Sequence, residues 1–125
     1  MCGEEKLGDF LAHSLHIVAQ YLQIDTHMVR SSAWAENHIL HGEERVLDIC
    51  RQFQATEYYN SIGGQELYDK TTFAENGIEL HFLRSHEIVY PQRKNAVLSG
   101  LSILDVLMEN SVLKTRELLL CYSLL

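Results

Sequence analysis

Proline is nearly missing from this sequence. Pro91 is the single instance in 125 residues, so no Pro-rich linker divides the chain. Cysteine is scarce too. Cys2, Cys50 and Cys121 are odd in number, far apart and without a CxxC pair. That excludes a disulfide framework and points to free thiols in a reducing, cytoplasmic compartment. Basic runs are lacking: ten Lys+Arg are scattered, with Arg93-Lys94 the one adjacent pair, against seventeen Asp+Glu. The resulting net charge of −7 argues against the broad basic footprint of a nucleic-acid binder. No apolar run approaches the roughly 20 residues of a membrane span. Met1-Cys2-Gly3-Glu4-Glu5 has neither the basic start nor the apolar run of a secretion signal. Gly at position 3 rather than 2 excludes a myristoylation start.

What remains is an ordinary globular composition, 46% hydrophobic and 22% charged, with no repeat and no linker. The length suits one domain. Leu7, Leu11, Leu15, Val18 and Leu22 recur at spacings of three and four, so residues 5–23 are predicted helical. His27-Met28-Val29-Arg30-Ser31 reads as a short strand, and 32–42 as a loop carrying Trp34. Gly42 precedes Glu43 and Glu44, acids that suit the positive end of a helix. Val46, Leu47, Ile49, Cys50 and Phe53 give that helix a buried side. Thr56-Glu57-Tyr58-Tyr59-Asn60 is β-branched and aromatic, hence a strand with one tyrosine in and one out. Asp69 is placed to cap a short helix through Phe73, which Asn76-Gly77 ends. Ile78–Leu83 alternates as a third strand, and Glu87-Ile88-Val89-Tyr90 reads as a fourth. Ser102-Ile103-Leu104-Asp105 opens a helix with a capping box, and Ser111 starts a last one over 112–120. The apolar 118–125 stretch is either a docking helix or a partner surface.

The order α-β-α-β-α-β-(β)-α-α implies crossover connections and ligands outside the carboxyl ends of the strands. The candidate site is therefore Asn60-Ser61-Ile62-Gly63-Gly64-Gln65, directly after a predicted strand. Two glycines allow positive φ and close backbone approach to a ligand. Neighbouring N–H groups there can cradle an anion, while Asn60, Ser61 and Gln65 add neutral donors and acceptors. The same residues also make a tight strand-to-helix turn with nothing bound. The turn is neither a P-loop nor a GxGxxG fingerprint. His13/His16 and His38/His41 are three apart, yet no HExxH occurs and no carboxylate stands at metalloenzyme spacing, so no metal is implied. Cys50 reads as core rather than nucleophile. Ser102 and Asp105 have a sufficient role as a cap pair, and no GxSxG elbow is present.

Gly42-Glu43-Glu44-Arg45-Val46-Leu47-Asp48-Ile49-Cys50 and the Tyr59–Asp69 stretch resemble successive signatures of the WbqC-like proteins. So do Gly77-Ile78-Glu79-Leu80, Tyr90-Pro91-Gln92 and Leu101–Met108, in the same order and spacing, over about residues 8–110. Ile24–Ser32 resembles the strand that precedes them there. The resemblance implies a bacterial protein associated with surface polysaccharides, with group transfer onto an activated sugar as one suggested role. It also adds Tyr68, Tyr90, Gln92, Ser102 and Asp105 to the candidate pocket. The family's Gln-Pro-rich opening motif is not found in this chain, and 111–125 and 95–100 diverge.

These readings combine into a single domain over 1–125, truncated at its N-terminal side. It is a three-layer Rossmann-like α/β domain with a small, mostly parallel sheet flanked by helices. The ligand set is Asn60, Ser61, Gly63, Gly64, Gln65, Tyr68, Tyr90, Gln92, Ser102 and Asp105. The expected ligand is an activated sugar or similar anionic metabolite. The sequence names no catalytic group or cofactor. A non-catalytic fragment or self-associating module, forming a homo-oligomer, is the alternative.

Overall fold

The leucine periodicity near the start does produce a helix, α1 (Leu7–Tyr21). In the computed structural model, which describes residues 6–33, 39–93 and 98–125, the chain divides into two compact units. One holds Met1–Arg30 with Glu87–Leu120, and the other Ser31–His86 with Cys121–Leu125.

The second, or sheet, unit is built on α2 (Gly42–Gln52), β1 (Glu57–Ser61), a 3-10 helix (Ile62–Glu66), α3 (Lys70–Glu75), β2 (Glu79–Ser85) and β3 (Tyr122–Leu124). Glu43 and Glu44 occupy the first turn of α2, where the helix dipole favours them. Asp69 caps α3 by accepting from the Thr71 amide at 3.1 Å. Gly77 ends that helix at φ +74°, a left-handed conformation that suits glycine. β1 pairs with β2 in parallel, from Glu57↔Glu79 to Ser61↔Leu83. β3 pairs with β2 antiparallel, with Phe82 and Leu125 exchanging both backbone hydrogen bonds at 3.0 Å. Leu47, Cys50, Phe73, Ile78, Leu80 and Phe82 close the core on one sheet face, with Tyr58 and Tyr68 packed against it. Tyr59, by contrast, stacks on His81 on the opposite, more exposed face, 4.9 Å between ring centres.

The helical unit contains α1, α4 (Ile103–Glu109) and α5 (Val112–Leu118). Ser102 and Ser111 cap the latter two, each accepting a backbone N–H at 3.2 Å. Arg30 pairs with Asp9 of α1. Ala19, Leu22, Tyr90, Val106 and Thr115 are its buried side chains.

Several expectations are corrected. His27–Ser31 forms no strand: Arg30 is drawn into the ion pair with Asp9, and Ser31–Ala33 turns as a 3-10 helix. Glu87–Tyr90 is extended chain without ladder bonds. The sheet is mixed rather than mostly parallel, because residues 122–124, beyond the expected final helix, add an antiparallel strand. The end of the apolar tail is thus a strand paired with β2 rather than a docking helix. In the sheet unit the core lies on one sheet face. Trp34 and His38 lie outside the described residues.

Candidate functional site

The ten candidate residues fall into two groups. Asn60, Ser61, Gly63, Gly64, Gln65 and Tyr68 belong to the sheet unit, and Tyr90, Gln92, Ser102 and Asp105 to the helical unit.

In the sheet unit, the turn after β1 is tightly built from within. Asn60 Nδ2 donates to the Tyr58 hydroxyl at 2.9 Å, and Ser61 Oγ donates to Asn60 Oδ1 at 3.4 Å. Tyr58 stacks on Phe73 at 5.4 Å, and Tyr68 meets both rings edge-on. Burial is the main cause that raises the Tyr58 hydroxyl above its ordinary pKa. Gly64 is buried against this cluster. A Cβ there would stand 3.0 Å from Asn60 Cγ, 3.1 Å from its Oδ1 and 3.2 Å from Tyr68 Cδ2. Neither Gly63 nor Gly64 adopts positive φ, contrary to the expectation from the glycine pair. Gly64 is required by the close approach of Asn60 and Tyr68. Gly63 faces open space, where a side chain would meet nothing within 4 Å. Ser61, Gly63 and Gln65 are exposed. The Asp69 amide is held by the Glu43 carboxylate at 2.8 Å, so α2 fixes the end of the turn segment.

In the helical unit, chain segment and helix converge. The Tyr90 hydroxyl donates to Asp105 Oδ2 at 2.6 Å. That bond, and then burial, pushes the Tyr90 hydroxyl above its ordinary pKa, while Gln92 pulls the other way. Gln92 also clamps the backbone of Leu98, donating to its carbonyl at 2.8 Å and accepting from its amide at 2.9 Å. Ser102 acts at the start of α4 by accepting from the Leu104 amide. The anticipated capping box is only half made in this way, since Asp105 Oδ2 accepts from Tyr90.

Above this network lies an open cleft of about 420 Å³. Gln92, Arg93, Asp105 and Glu109 give it polar lining, and Leu98, Leu101 and Met108 apolar lining. Arg93 pairs with Glu109 at 3.1 Å. The volume falls in the roughly 300–1,000 Å³ range of small-molecule sites. Sequence reasoning missed Arg93, Leu98, Leu101, Met108 and Glu109. A signal existed: Met108 and Glu109 lie three and four residues after Asp105 and share its helix face.

A model of the WbqC-like protein family matches residues 2–117. The chain belongs to the WbqC-like family. The match takes in residues 111–117, a stretch with no legible motif, as well as the Tyr59–Asp69, Tyr90–Gln92 and Leu101–Met108 segments that hold the two groups. No curated protein and no solved structure matches this family member.

Other chemistry is limited. Cys50 is buried, and burial pushes its thiol up, as befits a core position. Among the described residues, no group of three His, Cys, Asp or Glu side chains could hold a metal ion. His16 lines a separate hollow of about 310 Å³ with Gln20, Asp25 and Met28. Among the described residues, no helix is long and apolar enough to cross a membrane.

Proposed function

We propose that this WbqC-like chain transfers a group onto an activated sugar, or a similar anionic metabolite, in the cytoplasmic making of a bacterial surface polysaccharide. One observation carries the reading: Asp105, held by buried Tyr90, lines a cleft together with Gln92 and Arg93 and with apolar Leu98, Leu101 and Met108. A sugar has hydroxyls for a carboxylate and an amide, and C–H faces for Leu101 and Met108. The anionic portion of an activated sugar, which stays attached while the group is transferred, suits the Arg93 guanidinium. Asp105 and Gln92 are the groups that meet the ligand. Tyr90 is a positioning residue acting through Asp105, and Ser102 holds the start of the helix that carries Asp105. In the sheet unit, exposed Ser61 and Gln65 with the Gly63 backbone offer a second set of donors, braced from behind by Asn60, Gly64 and Tyr68. The parallel β1–α3–β2 crossover supports reading that unit as part of a layered, Rossmann-like fold.

Calorimetric titration with a panel of nucleotide sugars and sugar phosphates tests this. One class should bind, and Asp105→Asn should weaken that binding on the order of tenfold, about 1.4 kcal/mol. No heat from any member of the panel ends the reading, and equal affinity in Asp105→Asn removes it from this cleft.

The second reading, a non-catalytic self-associating module, is favoured by one observation. β1 stands at the end of the sheet order with Tyr59 exposed.

A further inference from the structure

Among the described residues, strand order β1-β2-β3 leaves β1 hydrogen-bonded on one side only. The direction of its remaining groups follows from a single bond. The Glu79 amide donates to the Thr56 carbonyl at 2.8 Å. In a strand, backbone groups alternate sides residue by residue. Tyr58 and Asn60 therefore turn their N–H and C=O groups towards β2. Glu57, Tyr59 and Ser61 turn theirs to the open edge, and all three residues are exposed. A five-residue edge with three outward-facing donor–acceptor pairs is a template for another strand. Beside it, on the core side of the sheet, Val46, Ile49 and Ala55 line an apolar groove of about 230 Å³ that reaches Glu57 and Tyr58.

We propose that β1 pairs with β1 of a second copy of this chain, antiparallel about a twofold axis through Tyr59. The register decides the occupant. Of the twofold registers available to a five-residue strand, the one centred on Tyr59 is the one that pairs the whole strand with itself. It sets Tyr59 opposite Tyr59, Tyr58 opposite Asn60, and Glu57 opposite Ser61. All three outward-facing residues then sit in hydrogen-bonded positions, giving about six backbone bonds. The charges agree as well. Each Glu57 carboxylate meets a serine hydroxyl of the other copy, whereas an axis through Glu57 would oppose two carboxylates at a destabilising cost. On the exposed face, the Tyr59–His81 stack meets its counterpart, a row of four rings across the axis. On the core face, the two apolar grooves beside β1 come alongside each other. The result is a six-stranded sheet with β3 at both ends.

Sedimentation equilibrium and cysteine cross-linking of the full chain test the pairing. The wild type should sediment at twice the chain mass. Oxidised Tyr59→Cys should cross-link, because hydrogen-bonded antiparallel partners have Cα atoms about 5.5 Å apart, within disulfide range. Glu57→Cys should cross-link no more than wild type, since its counterpart lies ~13 Å along the strand. Tyr59→Lys should raise the dimer dissociation constant on the order of tenfold while keeping the wild-type far-ultraviolet spectrum. A wild-type monomer at all concentrations overturns the proposal. So does a dimer indifferent to Tyr59→Lys, or one that cross-links through Glu57→Cys in preference to Tyr59→Cys. A monomer that instead binds foreign extended peptides at this edge overturns it too.

Discussion

The sheet unit encloses a cluster of large buried side chains while leaving Ile39 and Leu67 in solvent, and the helical unit buries fewer of its own. Phe73 is 0% exposed, and Ile78, Leu80 and Phe82 are each 3% exposed. In the helical unit Leu7, Leu15, Met108 and Leu113 are all more than 60% exposed, and its order rests on caps and polar pairs. The difference teaches where each property resides. Burial of apolar area supplies most of the stability of a domain, so the sheet unit is the stable body. The helical unit carries the polar cleft on a thinner core, which fits the tendency of binding elements to lie at the less stable end of a fold.

The sharpest way to break that comparison is to truncate matched apolar residues. Phe73→Ala should cost roughly 3–5 kcal/mol in urea unfolding, by transfer and cavity terms together. Leu15→Ala, at a 63% exposed position, should change stability within about 0.5 kcal/mol. Equal losses would contradict the division.

The two glycines of the turn should differ as much as their surroundings do. Gly64→Ala forces Asn60 and Tyr68 apart and should cost roughly 1–3 kcal/mol. Gly63→Ala enters open space and should leave stability within about 0.5 kcal/mol. If it weakens ligand binding at unchanged stability, the backbone there approaches the ligand.

A smaller, stabilising effect is expected in the helical unit. Thr115 is 0% exposed, and among the described residues its Oγ1 has no hydrogen-bond partner. Thr115→Val should raise stability by about 1 kcal/mol, since it removes an unsatisfied buried group at constant shape. Smaller still, Gln54 follows α2 at φ +53°, where glycine is favoured. Gln54→Gly should add roughly 0.5–1 kcal/mol, read as a raised midpoint in the same unfolding experiment.

Alkaline pH offers a test of the cleft itself. The folded-state pKa of Tyr90 is raised, so its stabilisation is whole below the ordinary value of 10.0 and is lost as pH rises through the higher folded value. Tyr58 and Tyr59 are raised as well. Tyr90→Phe should therefore flatten part of the alkaline fall in melting temperature, and Phe at that position should also lower it at neutral pH.

Much of the fold was legible where local physics decides. Leucine spacing gave α1, acids after Gly42 gave α2, and Asp69, Ser102 and Ser111 announced their caps. The failures came where tertiary pairing decides. His27–Ser31 and Glu87–Tyr90 have strand-like composition, but strand formation needs a partner ladder that neither finds. Tyr122–Leu124 gained one, because its short alternating stretch reaches β2. At the candidate site, the division of the residues between the two units was not readable. Asn60 and Gly64 look ligand-facing in sequence, yet the structure sets them against Tyr58 and Tyr68. Asp105 looks like a capping acid, yet it accepts from Tyr90, fifteen residues earlier.

The most direct test of the cleft is amide chemical-shift mapping during titration with the tightest-binding nucleotide sugar or sugar phosphate. The account predicts the largest changes at Gln92, Arg93, Leu101, Asp105 and Met108, with Asp105→Asn needing roughly tenfold more ligand to reach them. Changes centred on residues 60–68 with the cleft silent would contradict it.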